Sequence, residues 1–415
     1  MADVPSPAAG DPLVPSPAAG DPLLPADVAA LQREASRFAI RLREEAARRE
    51  WQPDPADRVP WPLVAEASRR GWRTLGLPRN WGGGGASVLA LCALVEALAW
   101  GDMGFAVLID QTLKVERILA RLAGPQARRH FLDRFLADDR CVLAICLTEP
   151  ETGSDYVIPS PGFRFRTTAA RRPDGSWVLD GTKRFISNGA DARFAVVFAC
   201  TDASQPAERG TSAFLVERGL PGYSTETVHE KISQRTINNA VLRFDRVAVE
   251  PWRLLGRPHL GFAGAREILR ESVIEAAATT LGTARAAYEM ALRHACQRRQ
   301  GGRPLAEHGN VRARLGRMHA QLEAARSLVW RAAAAVESDG YDHRLGASAK
   351  LVAADTAVAV CQSAMELHGG LAVMYRECGV EKCLRDCLSF LHSDGAQDSL
   401  ALRIADLSVA ALRDG

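Results

Sequence analysis

The 415-residue chain lacks an excess of charge of either sign: 52 Lys and Arg stand against 49 Asp and Glu, a formal net charge of +3. That near balance gives no reason to expect a nucleic-acid or membrane partner. No apolar run is long enough to span a bilayer. The N-terminus lacks the basic start and continuous apolar stretch of a secretory signal. Nine cysteines over this length do not make a disulfide framework. Cys378, Cys383 and Cys387 cluster, but neither their spacing nor a nearby His repeats a known ligand set, so no metal is expected. A cytoplasmic protein is the expectation. Also missing is a G-x-G-x-x-G after a strand, which argues against a Rossmann site but leaves room for a nucleotide cofactor elsewhere.

What is present is ordinary globular material, 47% apolar and 24% charged, in a chain long enough for two or three packed domains. The Pro/Ala/Gly/Asp segment VPSPAAGDPL at 4–13 recurs at 14–23 and cannot bury a core, so residues 1–26 read as a disordered tail. Residues 27–144 carry a helical period. In 28–50 it places Leu31, Ala35, Phe38, Ile40 and Leu42 on one broad stripe, and 88–102 is apolar almost all round, as a buried helix is. Residues 145–250 alternate instead, with a Pro-Asp-Gly-Ser turn inside 163–187 that marks a hairpin, and read as an antiparallel β domain. Across 251–415 the helical period returns, with Val311, Leu315, Met318, Leu322, Ala325 and Val329 at steps of four and three. Helices, strands, then helices in series make an α+β fold rather than an alternating one.

The segment ICLTEPETGSD, Ile145–Asp155, offers backbone amides, the Thr148 and Ser154 hydroxyls and tight turns where the β domain begins. A loop of that kind can come close to a flat polar ring, although alone it could equally be a Ser-rich turn opening a strand. It resembles the T-E-P-x-A-G-S-D signature of acyl-CoA dehydrogenases, with Thr152 in place of the usual Ala. DGTKRFISNGADARFAVVFACTD resembles the strand pair that follows in that family, and RRQGGRPLAEHGNVRARLGRMHAQLEAAR the R-x-x-F-G-x-P-L stretch and its helix. ELHGGLAVMYRECGVEKCLRDCLSFLHSDGAQDSLALRIAD is similar to the last pattern, which ends in E-G-T-x-x-I. Four motifs in the family's order cover residues 27–415.

The resemblance implies an FAD enzyme with an N-terminal helical domain, a middle β domain and a C-terminal helical bundle. It places the flavin ring against Ile145, Leu147 and Thr148, with Phe185 in place of Trp shielding one face and Ser187 in place of Thr keeping a hydroxyl. Ser154 would reach the pyrophosphate or the pantetheine. Arg298, Gln300, Glu366, Gly369 and Gly370 would meet the cofactor of a neighbouring chain, in a homodimer or homotetramer. Gly301 stands where Phe is usual, His368 where an apolar residue is, and Ala396 where the E-G-T hydroxyl is.

Dehydrogenation of an acyl thioester needs a carboxylate to take the α-proton. The family's base aligns with Asp394, one methylene shorter, beside Gly395; its competing role is a helix-capping aspartate. The family's other base position aligns with Ser272, and the nearby Glu271 and Glu275 are expected on a solvated face. On the helix that encloses the acyl tail, Asp110 and Lys114 lie four residues apart. They make either a surface ion pair or part of a polar pocket, with Gly395, for a short hydroxylated, amino or carboxylated acyl group. The expected function is oxidation of such a thioester, on CoA or an acyl carrier protein, in a specialised biosynthetic pathway. The electrons would pass to an electron-transfer flavoprotein or to oxygen. The alternatives are a flavin monooxygenase on the same scaffold and a catalytically inactive carrier-binding paralogue.

Overall fold

The computed structural model describes residues 24–157, 162–338 and 340–414, so the N-terminal repeat lies outside the described residues. Five helices come first: α1 (Ala26–Arg49), α2 (Trp61–Arg69), α3 (Val88–Gly101), α4 (Met103–Leu122) and α5 (Pro125–Phe135). Ser87 caps α3 by accepting from the Ala90 amide, and Asp102 caps α4 by accepting from Phe105. In α3, Val88 and every residue from Ala90 to Ala99 is buried, as the all-round apolar pattern requires. Its Glu96 survives there because Arg326 and the Trp330 indole each donate to it at 3.0 Å. In α1 the stripe holds at Ala35, Phe38 and Leu42, but Ile40 is exposed. It is two residues past Phe38, about 200° around the helix.

The sheet combines β1 (Leu143–Cys146), β2 (Thr168–Arg171), β3 (Trp177–Ser187), β4 (Phe194–Cys200), β5 (Thr211–Glu217), β6 (Tyr223–Val228), β7 (Asn239–Val249) and β8 (Leu254–Leu255). Its order is β6-β7-β3-β2-β4-β5-β8, with β1 added beside β4. The expected purely antiparallel arrangement is corrected: β1 and β2 both run parallel to β4, and the other pairings are antiparallel. The parallel pairing of β1 follows from its origin, since it enters straight from the helical segment rather than through a hairpin. The β2–β3 hairpin turns at the Pro-Asp-Gly-Ser segment as read from sequence. Strand β4 is buried at all seven positions. Phe194, Val196 and Phe198 face the α5 aromatics Phe131 and Phe135, and Ala195, Val197 and Ala199 join Phe214, Leu242 and Phe244.

After a short helical turn α6 (Ala207–Gly210) within the sheet region, the chain ends in α7 (Gly261–Gln297), α8 (Gly309–Ala335), α9 (His343–His368), α10 (Val380–Ser389) and α11 (Gln397–Asp414). Helix α7 is the axis of the bundle and packs on α3, α4, α8 and α9. Its approach to α3 needs Gly282, where a Cβ would sit 2.1 Å from the Glu96 carbonyl oxygen. All six expected apolar positions of α8 are buried. Among the described residues no helix is long and apolar enough to cross a membrane.

Candidate active site

A cleft of about 610 Å³ opens where the loop after β1, the end of β3, α4, the first half of α7 and the loop before α11 meet. The loop after β1 is fixed by Glu149. This side chain accepts from the backbone amides of Arg166 (2.6 Å) and Thr167 (2.9 Å) and from Lys183 Nζ (2.8 Å), which also donates to the Leu147 carbonyl at 3.0 Å. Burial alone would raise the Glu149 carboxyl; Lys183 and the amides outweigh it and hold the group below its ordinary value. Glu149 and Lys183 belong to the quoted motifs, yet their role is to brace the loop, which no spacing in the sequence reveals. With the loop braced, Ile145, Leu147, Thr148 and Ser154 all line the cleft.

Phe185 and Ser187 reach the same cleft from β3. The β3–β7 ladder slips between Lys183 and Ile186, and Phe185 sits in this irregularity at φ +60°. A bulge of this kind re-aims a side chain; Phe185 is 52% exposed on the cleft wall. The Ser187 hydroxyl accepts from Asn239 Nδ2 at 3.1 Å.

Asp394 enters from the opposite side. It sits at φ +51°, a left-handed conformation that Asp tolerates better than most residues. Its Oδ1 accepts from Lys114 Nζ at 2.8 Å, and Oδ2 has no partner among the described residues. The capping role is therefore overturned, because the carboxylate bonds a lysine rather than the amides of α11. Two further contacts hold the loop. Lys350 Nζ donates to the Gly395 carbonyl at 2.7 Å, and the Ala396 amide donates to Ser154 Oγ at 3.2 Å. Burial brings the Lys350 ammonium down to about 8. Gly395 itself is not among the cleft-lining residues.

The ion pair on α4 is no surface feature. Asp110 and Lys114 are 3% and 2% exposed, their charged atoms 3.7 Å apart, which rules out the solvent-face alternative. Lys114 lines the cleft, whereas Asp110 lies behind it and does not. Burial works against the Lys114 charge, but the Asp394 and Asp110 carboxylates outweigh it and keep the ammonium above its ordinary range. Asp110 is pushed well above the usual carboxylate range, first by burial and then, against Lys114, by Glu275. Asp110 Oδ1 and Glu275 Oε2 are both buried without a hydrogen-bond partner among the described residues. The expectation that Glu271 and Glu275 face solvent is corrected as well. Glu275 is fully buried, Glu271 partly so, and both bind Arg117, Glu275 at 2.6 Å. Ser272 lines the cleft and returns its hydroxyl to the Leu269 carbonyl at 3.1 Å. Next to Lys114, the Gln111 amide reaches the cleft at 7% exposure and has no partner among the described residues. Sequence reading missed it, since a glutamine on an apolar helix carries no motif.

The other expected cofactor residues lie elsewhere. Arg298, Gln300, Glu366, Gly369 and Gly370 gather with His294, His368 and Arg314 around a separate hollow of about 390 Å³. Gly301 and Gly302, at φ +62° and +82°, form the two-residue turn of the hairpin joining β9 (Arg299–Gln300) and β10 (Arg303–Pro304). A turn that needs positive φ at both positions accounts for glycine where a Phe was expected. A Cβ added to Gly369 or Gly370 would meet nothing within 4 Å, so this wall is open to an incoming group. An arginine fork without a carboxylate partner, Arg298, beside open backbone suits a pyrophosphate, and a hydroxyl-lined cleft with an aromatic wall suits a flavin ring. The donor set fits a flavin dinucleotide.

Comparison with known proteins agrees with this geometry. The family models for the acyl-CoA dehydrogenase N-terminal, middle and C-terminal domains match residues 25–139, 144–247 and 259–408. Cyclohex-1-ene-1-carbonyl-CoA dehydrogenase of Geobacter metallireducens is 31% identical over 360 residues, 85% of this chain and 92% of that one. Among solved structures, butyryl-CoA dehydrogenase from Megasphaera elsdenii superposes with a TM-score of 0.85 at 29% identity, covering 94% of this chain and 100% of the other. The prolyl acyl carrier protein oxidase AnaB shares the fold with a TM-score of 0.81 at 22% identity, covering 92% and 99%. From its first helix to its last, the chain belongs to the acyl-CoA dehydrogenase family of FAD-dependent oxidoreductases.

Proposed function

We propose that the protein carries out α,β-dehydrogenation of a short acyl thioester bearing a polar group, with Asp394 as the base. The carrying observation is the Asp394–Lys114 pair, which walls the cleft together with Phe185 and Ser187 and leaves Oδ2 without a partner. When bound, FAD supplies the acceptor for the hydride. Asp394 Oδ2 takes the α-proton, while Lys114 fixes Oδ1 so that the short side chain is aimed without a search among rotamers. The Asp394 amide makes no hydrogen bond within the described residues, and in this reading it would donate to the thioester carbonyl, making the α-carbon more acidic. The final electron acceptor would be an electron-transfer flavoprotein or oxygen.

The polar character of the acyl group rests on Gln111 and Lys114. A plain aliphatic chain would leave the Gln111 amide without a partner, whereas a hydroxyl, amino or carboxyl substituent would pair it. AnaB, as its name states, oxidises a prolyl group on an acyl carrier protein, and a polar acyl group on CoA or on a carrier is the class expected here. Thioesters with such a substituent are expected to reduce the flavin anaerobically better than octanoyl or palmitoyl thioesters. Gln111→Leu is expected to shrink that ratio about tenfold to a hundredfold, the equivalent of one hydrogen bond of ~1–3 kcal/mol. A wild type that prefers octanoyl thioester would remove the polar-pocket reading.

The two cofactor-binding clusters imply a dimer. Helix α7 touches the cleft at Val273 and the second hollow at His294, a rise of about 30 Å along the axis. That is longer than one dinucleotide reaches, so the Arg298 cluster of each copy serves the flavin of another. The protein is expected to sediment as a dimer or as two dimers, and Arg298→Ala to lose FAD on gel filtration. A monomer with full FAD occupancy would contradict this arrangement.

A further inference from the structure

Ser187 and Asn239 face each other across the β3–β7 ladder. Asn239 Nδ2 donates to Ser187 Oγ at 3.1 Å and to the carbonyl of Phe185, in the bulge two residues back, at 2.9 Å. The other end of that amide, Oδ1, accepts from Lys231 Nζ at 2.5 Å. Lys231 lies on the loop between β6 and β7. It reaches a side chamber of about 270 Å³ that shares Phe185, Ser187 and Asn239 with the cleft. Among the described residues its ammonium has no carboxylate partner. Burial lowers it to about 7, with Asp386 and Asp102 supporting the charge and Arg235 and Arg58 opposing it. All four of these groups are engaged elsewhere, the two acids by Lys382 and the two arginines by Glu230.

The direction of each bond in this chain is forced. An ammonium can only donate, and a carbonyl oxygen can only accept. Lys231 therefore claims the oxygen of the Asn239 amide, while the Phe185 carbonyl claims its nitrogen. A reversed amide would set nitrogen against ammonium and oxygen against oxygen. The amide nitrogen has two hydrogens, and Phe185 and Ser187 take both. Ser187 Oγ thus receives a hydrogen bond, and its own O–H must be spent on another acceptor. None exists among the described residues, and the side chain lines the cleft. We infer that Lys231, acting through Asn239, is a positioning residue for the flavin. It makes the Ser187 hydroxyl a fixed donor toward the ring and holds the Phe185 bulge beside it. A donor aimed at the ring stabilises the negative charge that arrives with the hydride, so the lysine raises the affinity of the bound flavin for electrons. This inference rests on the ring lying against Ser187 and is independent of the acyl group.

The test is the reduction potential of the FAD-loaded protein, measured anaerobically against a reference dye with no thioester present. It is run at about pH 6, where Lys231 keeps its charge. Ser187→Ala and Lys231→Met are each expected to lower the equilibrium constant for two-electron reduction about tenfold, a potential ~30 mV more negative. Added to Ser187→Ala, Lys231→Met is expected to change nothing further, because both cut the same chain. Lys231→Gln, an uncharged donor, is expected to keep the wild-type potential. Asn239→Asp keeps a partner for Lys231, which spares the fold, but cannot donate to Ser187; it is expected to match Ser187→Ala. If Lys231→Met lowers the potential as much in the Ser187→Ala background, and Lys231→Gln lowers it equally, the lysine acts by its charge alone and the inference is overturned. An unchanged potential in Ser187→Ala overturns it too, since the ring would then lie beyond the hydroxyl. Neither result touches thioester oxidation, because no thioester takes part. Conversely, thioesters that fail to reduce the flavin would sink the dehydrogenase reading and leave these potentials where they are.

Discussion

Asp394→Asn is expected to keep FAD content near wild type while flavin reduction by substrate falls about 10²–10⁴-fold. Asparagine keeps an oxygen for Lys114 and the same volume on a loop fixed by Lys350 and Ser154, so the fold has little reason to respond. What it loses is the ability to accept a proton at the position of Oδ2. The loss should appear in kcat rather than in KM, as for an interaction made only in the transition state. Asp394→Glu is expected to remain active, since the longer carboxylate can still meet Lys114 once the loop adjusts. An unchanged rate in Asp394→Asn would reduce Asp394 to an anchor for Lys114.

Lys114→Met has the second large effect expected. The ammonium is 2% exposed, and its removal leaves the Asp394 carboxylate facing a hydrophobic neighbour in a cleft. Breaking a buried pair from one side typically costs ~3–5 kcal/mol, more than most single substitutions. The cost should sit on Asp394, because Asp110, already pushed towards its neutral form by burial and Glu275, loses less when its partner goes. Thermal unfolding should therefore show a large fall in Lys114→Met, partly recovered in Lys114→Met/Asp394→Asn, where the Asp394 charge is gone too. A melting temperature equal to wild type in Lys114→Met would show that the pair is solvated in solution.

The helical parts of this fold were legible because burial imposes a period on them: the α8 positions and the all-apolar α3 follow directly from it. Strand β6, Tyr223–Val228, was not legible. It is an edge strand, and its YSTETV sequence buries no residue fully, so it lacks an apolar face to advertise. The parallel pairing of β1 is likewise set by partners distant in the chain. At the site, local motifs pointed to Ile145, Leu147, Thr148, Ser154, Phe185 and Ser187, which the fold gathers in one cleft. Asp110 and Lys114 show the limit of such reading. Their four-residue spacing is the same on a solvent face as in a core, and only the packing of α7 and the Asp394 loop against α4 decides between the two. Glu275 was misplaced for the same reason, since its partner Arg117 is 158 residues away.

The most direct measurement is an anaerobic titration of the FAD-loaded protein with acyl thioesters, following the colour of the flavin. A dehydrogenase with Asp394 as its base is expected to bleach on addition of a thioester bearing a hydroxyl, amino or carboxyl group. It should need neither oxygen nor an external reductant, and Asp394→Asn should stay yellow over the same time. A wild-type flavin that stays oxidised with every thioester, while turnover requires oxygen and reduced flavin supplied from outside, would contradict the dehydrogenase mechanism and make the protein a monooxygenase on this scaffold.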